Sequence, residues 1–425
     1  MRVDYGTRRT IVISSPELAK EIMMKHDLEF SGRFTPFVLE ALNQHEFAMA
    51  VLPMGDKWRQ LRRICKEHIF TPQKVQATEG LRQDKLRQLR DYLEECSNSG
   101  TSVDIDKAMM VTSLNMLSNT LVSMDFAGYS SAANQEIRDT IEQAAHIGTT
   151  ANPADYLPFL RMFDPKGLQR RARACYVKLL AYLEDIVGKR MKQQLNHQSN
   201  DLLQVLLDLH QQNELTLEEV TRLLLDLVLD GGESISFILL WIMAELLRDP
   251  KIMARVKNEL RETVGEEREV VESDIPKLSY LNAMIKETFR FRNGAPFLVA
   301  RKAEADVEIS GYTIPKGTSV LINIKSITRD PKVWPNPDTF DPERFLHNNI
   351  DYRGQSFELT PFGSGRRVCP GIPIAHPTLH LIVAHMVNSF DWKLMDEMPP
   401  NMDDHDCGLV IRLVNPLKAI PIKNK

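Results

Sequence analysis

One cysteine stands in the stretch ELTPFGSGRRVCPGIPIA, residues 358–375: Cys369 follows two glycines and two arginines and precedes Pro370, Gly371 and an apolar helical pattern. A thiol in a glycine-turned loop at the start of a helix meets the positive end of the helix dipole and exposed backbone N–H groups, both of which favour the thiolate. Such a thiolate can serve as nucleophile, redox switch or metal ligand. An inert buried cysteine is the usual fate of an isolated Cys, but it does not need flanking glycines and arginines. A nucleophile wants a histidine base and an oxyanion hole, and no signature locates them. A single protein thiolate on a haem iron needs no second protein ligand, because the porphyrin supplies the rest.

Charged residues elsewhere recur at helical spacing. In KETFR, Glu287 and Arg290 lie three apart, so they share a helix face and can bridge. Alone, such a pair is most often a solvated surface pair. WRQLR places Trp58 and Arg62 four apart in the same way. The run TLEEVTRLLLDLVLDGGESISFILLWIMAELLRDP is apolar on most sides, with Gly231 and Gly232 in its middle, which predicts a buried central helix with a local distortion. His376 and His380 are four apart, but no Glu follows His376 and Pro377 intervenes, so a helical zinc pair is not expected. QRRARA near residue 170 reads as a solvated face.

FGSGRRVCPG resembles Phe-x-x-Gly-x-Arg-x-Cys-x-Gly, the haem-binding loop of the cytochrome P-450 monooxygenases, with Phe362, Gly365, Arg367, Cys369 and Gly371 in place. Three further motifs stand in the family's order and spacing, so the resemblance covers essentially the whole chain. It implies a mainly α cytochrome P-450 fold, a large helical domain with a long central helix over the haem and a small β-sheet region. It implies haem b (iron protoporphyrin IX) with Cys369 as the thiolate ligand to the metal. Glu287 and Arg290 match the family's Glu-x-x-Arg, and FDPERF offers Arg344 to complete a buried Glu-Arg-Arg cluster beneath the haem. Trp58 and Arg62 match Trp-x-x-x-Arg on a helix that meets the haem propionates. By resemblance Arg62, Arg301 and Arg367 pair with those carboxylates, for which the guanidinium fork is suited.

On the oxygen side the family uses Ala/Gly-Gly-x-Asp/Glu-Thr, and here the order is Asp230-Gly231-Gly232-Glu233-Ser234. Oxygen activation needs protons delivered distally, and a carboxylate beside a hydroxyl can relay them through water, so Glu233 and Ser234 are the expected catalytic pair. Ser234 keeps the hydroxyl but lacks the methyl that would restrict its rotamer. Asp230 replaces a small residue, and a carboxylate there needs a partner or a proton if buried. It could repel an apolar substrate, anchor a cationic one, or turn away toward a solvent channel. Other departures are Arg292-Asn293-Gly294 with Pro296, where the family shows His-Pro-x-x-Pro, and Pro377, expected to cost its helix about 3 kcal/mol. Leu229, Asp230, Phe297, Leu298, Leu409 and Val410 are the expected pocket lining.

Elements that must position these groups are legible in outline. RRTIVI reads as a strand, and SSPELAKEIMMKHD opens a helix with Ser15 as N-cap and Pro16 first. Residues 55 to 250 have helical texture, VEISGYTIPKGTSVLINI has strand alternation with Gly turns, and RDPKVWPNPDTFDPERF is too rich in proline to be regular. With no repeat and no linker, residues 1–425 are expected to form one domain. Hydrophobic residues at 43% and charged residues at 26% exclude disordered and disulfide-dense classes. A net charge of -4 advertises no nucleic acid. Five scattered cysteines with no zinc spacing fit a reducing compartment. No stretch of about eighteen apolar residues occurs, so the chain as given is not expected to span a membrane.

PFLVARKAEADVEISGYTIPKGTSVLINIKSITRDPKVWPNPDTFDPERFL further resembles plant microsomal members, most of all terpenoid hydroxylases such as geraniol hydroxylase and the ferruginol synthase-like, abietane-oxidising enzymes. Those carry an N-terminal anchor and hinge, which the chain as given is expected to lack. The resemblance implies a haem-thiolate monooxygenase that hydroxylates an apolar terpenoid with O2, takes electrons from NADPH-cytochrome P-450 reductase, and in its full-length form associates with the cytosolic face of the endoplasmic reticulum membrane. Two alternatives stay open: a degenerate, non-catalytic haem-binding relative, and a non-oxygenating member that rearranges peroxides.

Overall fold

The computed structural model of the chain describes residues 1–129, 135–193, 201–265, 268–395, 400–406 and 411–424. The β-branched run forms the strand Arg8–Ile13, antiparallel to Arg2–Tyr5 and parallel to Ser319–Ile322, with Arg301–Lys302 on the far edge of the same sheet. The start of the chain therefore completes the small sheet expected after residue 295, a pairing that local alternation cannot specify. The Ser15 hydroxyl accepts the Leu18 N–H at 3.3 Å, and Pro16 opens the helix Pro16–Lys20, which widens into a π-helical turn over Glu21–Lys25.

Between these ends the chain is helical, and the central run is its axis. It forms two helices, Leu217–Gly232 and Ser234–Arg248, which meet at Glu233 (φ -108°, ψ -27°). A Cβ at Gly231 would stand 2.9 Å from Leu117, and one at Gly232 would stand 3.2 Å from Leu114. The two glycines thus let the helix Ile105–Val122 press directly against this point, and any larger side chain would lever the pair apart. The Ser236 hydroxyl takes the Glu233 carbonyl at 2.8 Å, competing with the helical ladder where the break occurs. The expected local distortion is therefore present.

Beyond the break, Leu239, Trp241, Ile242 and Met243 are fully buried against the helices Ile105–Val122, Ser279–Phe291 and Ile372–Ser389. The last of these helices follows Cys369 and continues unbroken through Pro377, which lies in its second turn and leaves the Pro373 carbonyl without its ladder donor. No helix of the described residues is long and apolar enough to cross a membrane.

Candidate functional site

The cysteine loop is fixed from both sides. Cys369 N–H donates to the Phe362 carbonyl at 3.0 Å, and Val368 N–H donates to Gly365 at 3.1 Å. Gly365 has φ +70°, and a Cβ there would fall 2.3 Å from the Met23 carbonyl, so glycine is required on two counts. Phe362 packs edge-on against Phe289 of the helix Ser279–Phe291, with ring centres 5.3 Å apart. Burial pushes the Cys369 thiol above its ordinary range, although the Gly371 and Ile372 N–H groups and Arg62 pull it down. Without a metal, burial outweighs these donors and Asp230 adds to it, and a bound metal cation would favour the thiolate.

Around this loop the structure gathers the arginines singled out by sequence. Arg62 donates to the Val368 carbonyl at 2.5 Å. Arg367 donates to the carbonyls of Ser31, Met49 and Leu52 and lies 5.0 Å from the ring of buried Trp58, whose indole N–H also reaches Met49. Arg301 bonds Asp27 at 2.9 Å and the Ser364 carbonyl at 3.0 Å. Two residues absent from the sequence reading complete the group. Asp27 bridges Arg301 to the Arg366 N–H, and Arg33 donates to the carbonyls of Ala50, Val299 and Ala300.

Burial and mutual repulsion push Arg33 down to about 9 and Arg367 to about 10, and burial also lowers Arg62 and Arg301. Arg33, Arg301 and Arg367 all draw on one carboxylate, Asp27, which also pairs with the Arg366 guanidinium, so the region carries excess positive charge that an anionic ligand would relieve. A group with two carboxylates beside a thiol-binding metal fits this donor set, and haem is such a group.

Support comes from below. Glu287 and Arg290 are fully buried and paired at 2.6 and 2.7 Å, and Arg344 reaches Glu287 at 3.2 Å. The Asp341 N–H adds a fourth donor to Glu287, while Arg290 holds the carbonyls of Thr328, Pro337 and Thr339. The cluster therefore pins the irregular proline-rich segment to the helix that carries Phe289. The departure at 292–294 is also absorbed: Arg292 pairs with buried Glu245 at 2.6 Å, Asn293 bonds Thr328, and a Cβ at Gly294 would meet the Phe237 ring at 2.7 Å.

On the distal side Asp230 and Ser234 stand one turn apart across the helix break, and both keep accessible surface although their neighbours Val228, Gly232 and Ser236 are buried. Burial nevertheless pushes the Asp230 carboxyl up to about 6. The Asp230 side chain is nonetheless exposed, and its charge is felt by Cys369. Asp226, one turn earlier, is buried and accepts the Met49 N–H at 3.0 Å, with its carboxyl raised by burial and by Asp230. Leu298 stands 3.8 Å from where a Gly363 Cβ would be, so it reaches the cysteine loop. Leu229 and Phe297 are half-buried, whereas Leu409 and Val410 lie outside the described residues.

The remaining readings settle simply. His376 and His380 bond Tyr352 and Asn282, and no cluster able to hold a metal ion by side chains alone occurs among the described residues. Arg170, Arg171 and Arg173 are exposed, as a solvated face should be.

The model of the cytochrome P450 family matches residues 1–419. Cytochrome P450 76T24 of Catharanthus roseus is 44% identical over 430 residues, spanning 100% of this chain and 86% of that protein. A ferruginol synthase from Salvia miltiorrhiza is also 44% identical, over 99% of this chain and 87% of its own. A geranylhydroquinone 3''-hydroxylase from Arnebia euchroma is 40% identical over 100% of this chain and 87% of its own. A zebra fish cytochrome P450 solved with progesterone aligns at a TM-score of 0.84 and 26% identity, over 99% of this chain and 96% of that one. Sequence, fold and the charge balance around the cysteine loop converge, and the chain belongs to the cytochrome P450 family of haem-thiolate monooxygenases.

Proposed function

We propose that this enzyme hydroxylates a C–H bond of a terpenoid, using O2 and two electrons from NADPH delivered by NADPH-cytochrome P-450 reductase, with water as the second product. The observation that carries the reading is the buried arginine cluster beside Cys369, with its single carboxylate. Haem, when bound, supplies the oxygen-activating chemistry. Cys369 would bind its iron through sulfur, Phe362 and Gly365 shape the loop, and Trp58, Arg62, Arg301 and Arg367, joined by Arg33, would hold its carboxylates. Glu233 and Ser234 pass protons at the helix break. Relatives named as a hydroxylase and synthases, alike over the whole chain, favour oxygenation over the degenerate and peroxide-rearranging alternatives.

The surface supports the partners. Arg353 and Arg366, though paired with Asp351 and Asp27, still expose 54% and 58% of their side chains near the cysteine loop, where they can meet an acidic reductase. A cleft of about 350 Å³ bordered by Lys286, Arg353 and His376 shares no lining with Asp230 or Ser234, so it is not the substrate site. Phe159, Met162 and Phe163 lie close together, exposed by 61%, 86% and 69%, and support contact with the cytosolic face of the endoplasmic reticulum membrane.

The carbon monoxide difference spectrum of the dithionite-reduced protein tests the ligand. A strongly red-shifted Soret band in the wild type, lost in Cys369→Ala, is expected, and its survival in the variant would remove Cys369 from the metal. Product from a terpenoid with reductase and NADPH is expected, whereas product only from a hydroperoxide would establish the rearranging alternative.

A further inference from the structure

We infer that Asp230 is a specificity-determining residue that selects terpenoids bearing a hydroxyl group, by accepting a hydrogen bond from that hydroxyl. The inference rests on the terpenoid reading and names the substrate class more closely. Asp230 has no hydrogen-bond or ion-pair partner among the described residues, while Asp226, on the same face one turn earlier, has the Met49 N–H. The unpartnered carboxyl cannot swing away with its helix, because Gly231 and Gly232 press that helix against Leu117 and Leu114. Nor does a protein cation answer it. Arg62, the arginine that senses Cys369, is committed to the Val368 carbonyl, and Arg33, Arg301 and Arg367 are committed to carbonyls and Asp27.

A carboxyl on the Cys369 side of the central helix, beside half-buried Leu229, penalises a purely hydrocarbon ligand that covers it, because the ligand strips its water and returns no hydrogen bond. A ligand that carries a donor restores the bond, and sites built this way reject the analogue lacking it far more strongly than apolar pockets reject a missing methylene. One turn from Ser234, the anchor would also fix which end of the skeleton faces the reacting side.

Two probe pairs test this, each an alcohol and the hydrocarbon that lacks only its hydroxyl: menthol with p-menthane, and dehydroabietinol with dehydroabietane. Binding to the haem-loaded enzyme is followed by the shift in haem absorbance and independently by equilibrium dialysis. The wild type should bind the alcohol of the fitting pair about 10- to 100-fold more tightly than its hydrocarbon. Asp230→Ala should abolish that ratio by tightening the hydrocarbon and weakening the alcohol, and Asp230→Asn, which keeps an acceptor, should restore part of it. A purely structural role would lower both affinities together. Equal binding in the wild type, or a ratio unchanged in Asp230→Ala, overturns the inference while leaving the terpenoid reading intact. Silence from all four probes, with imidazole still ligating the iron, overturns the terpenoid reading and this inference with it.

Discussion

The two sides of Cys369 are built on opposite terms. Below the loop, Glu287 accepts from two arginines and a backbone N–H, and Arg290 reaches three carbonyls besides. Above it, the central helix breaks at Glu233, and Asp230 has no hydrogen-bond or ion-pair partner among the described residues. Saturated hydrogen bonding over-determines the proximal side, which fixes the ligand. The distal side carries one carboxyl, Asp230, with no such partner, so that position is open to a partner on the substrate. In this chain FGSGRRVCPG and KETFR keep the family's residues, while departures stand at both ends of DGGES and, on the proximal side, at 292–294 and Pro377, where the surrounding contacts absorb them.

Removing Glu287 attacks the stricter side and should have the largest effect. Glu287→Ala leaves the buried Arg290 and the half-buried Arg344 without their counter-charge and should cost about 3 to 5 kcal/mol, with loss of bound haem. Urea unfolding together with haem content per protein measures it. A variant that kept both would mean the proximal network is not what holds the loop.

Ser234→Ala removes a hydroxyl proposed to pass protons but, among the described residues, no hydrogen bond. Its haem spectrum and unfolding midpoint should match the wild type, while product formed per NADPH consumed falls, with a rate loss of about 100-fold. Ser234→Thr should raise that coupling, because the added methyl restricts the hydroxyl rotamer. A loss of haem in Ser234→Ala would erase the distinction between the two sides.

Arg33 lies on the boundary. Arg33→Met removes one of four mutually repelling charges, so haem should dissociate to an acceptor protein about 10-fold faster while the haem-free fold loses little. An unchanged dissociation rate would limit Arg33 to tying three carbonyls together.

The proximal chemistry was legible because its motifs are local: a cysteine between glycines, and charges three and four apart on helices. Arg33 and Asp27 were not legible, since a lone Arg in FSGRF and a lone Asp in KHDLEF have no spacing partner and acquire their roles only when the chain ends meet. Asp27 lies 274 residues from Arg301. Asp226 did leave a signal. LLLDLVLDGG places two acids one turn apart on an otherwise apolar helix, which predicts a shared face. The partner of strand Arg8–Ile13 was hidden for the same reason as Asp27, because period-two alternation marks a strand and not its neighbour.

Acid should separate the two sides by sign, with the smallest effect of the four. Burial, then His380, pushes His376 down to about 3, and burial holds His380 at about 4. The Arg353 guanidinium donates to Nε2 of His376, so the Nδ1 proton faces the Tyr352 hydroxyl and the ring is neutral. Unfolded histidine titrates near 6.5, so between about 6.5 and 3 the unfolded chain binds protons that the folded chain refuses. The stability from these rings is complete above about 6.5 and falls as the pH drops, by at most about 1.4 kcal/mol per pH unit for each ring. Asp230 runs the other way. Its folded value near 6 exceeds the unfolded value near 3.9, so folding takes up a proton between them and stability rises as the pH falls, an effect weakened by its accessible surface. Urea midpoints at pH 7, 6 and 5 should therefore fall less steeply in His376→Gln than in the wild type, and more steeply in Asp230→Ala. Parallel slopes in all three proteins would mean that neither group keeps its unusual charge state in the folded chain.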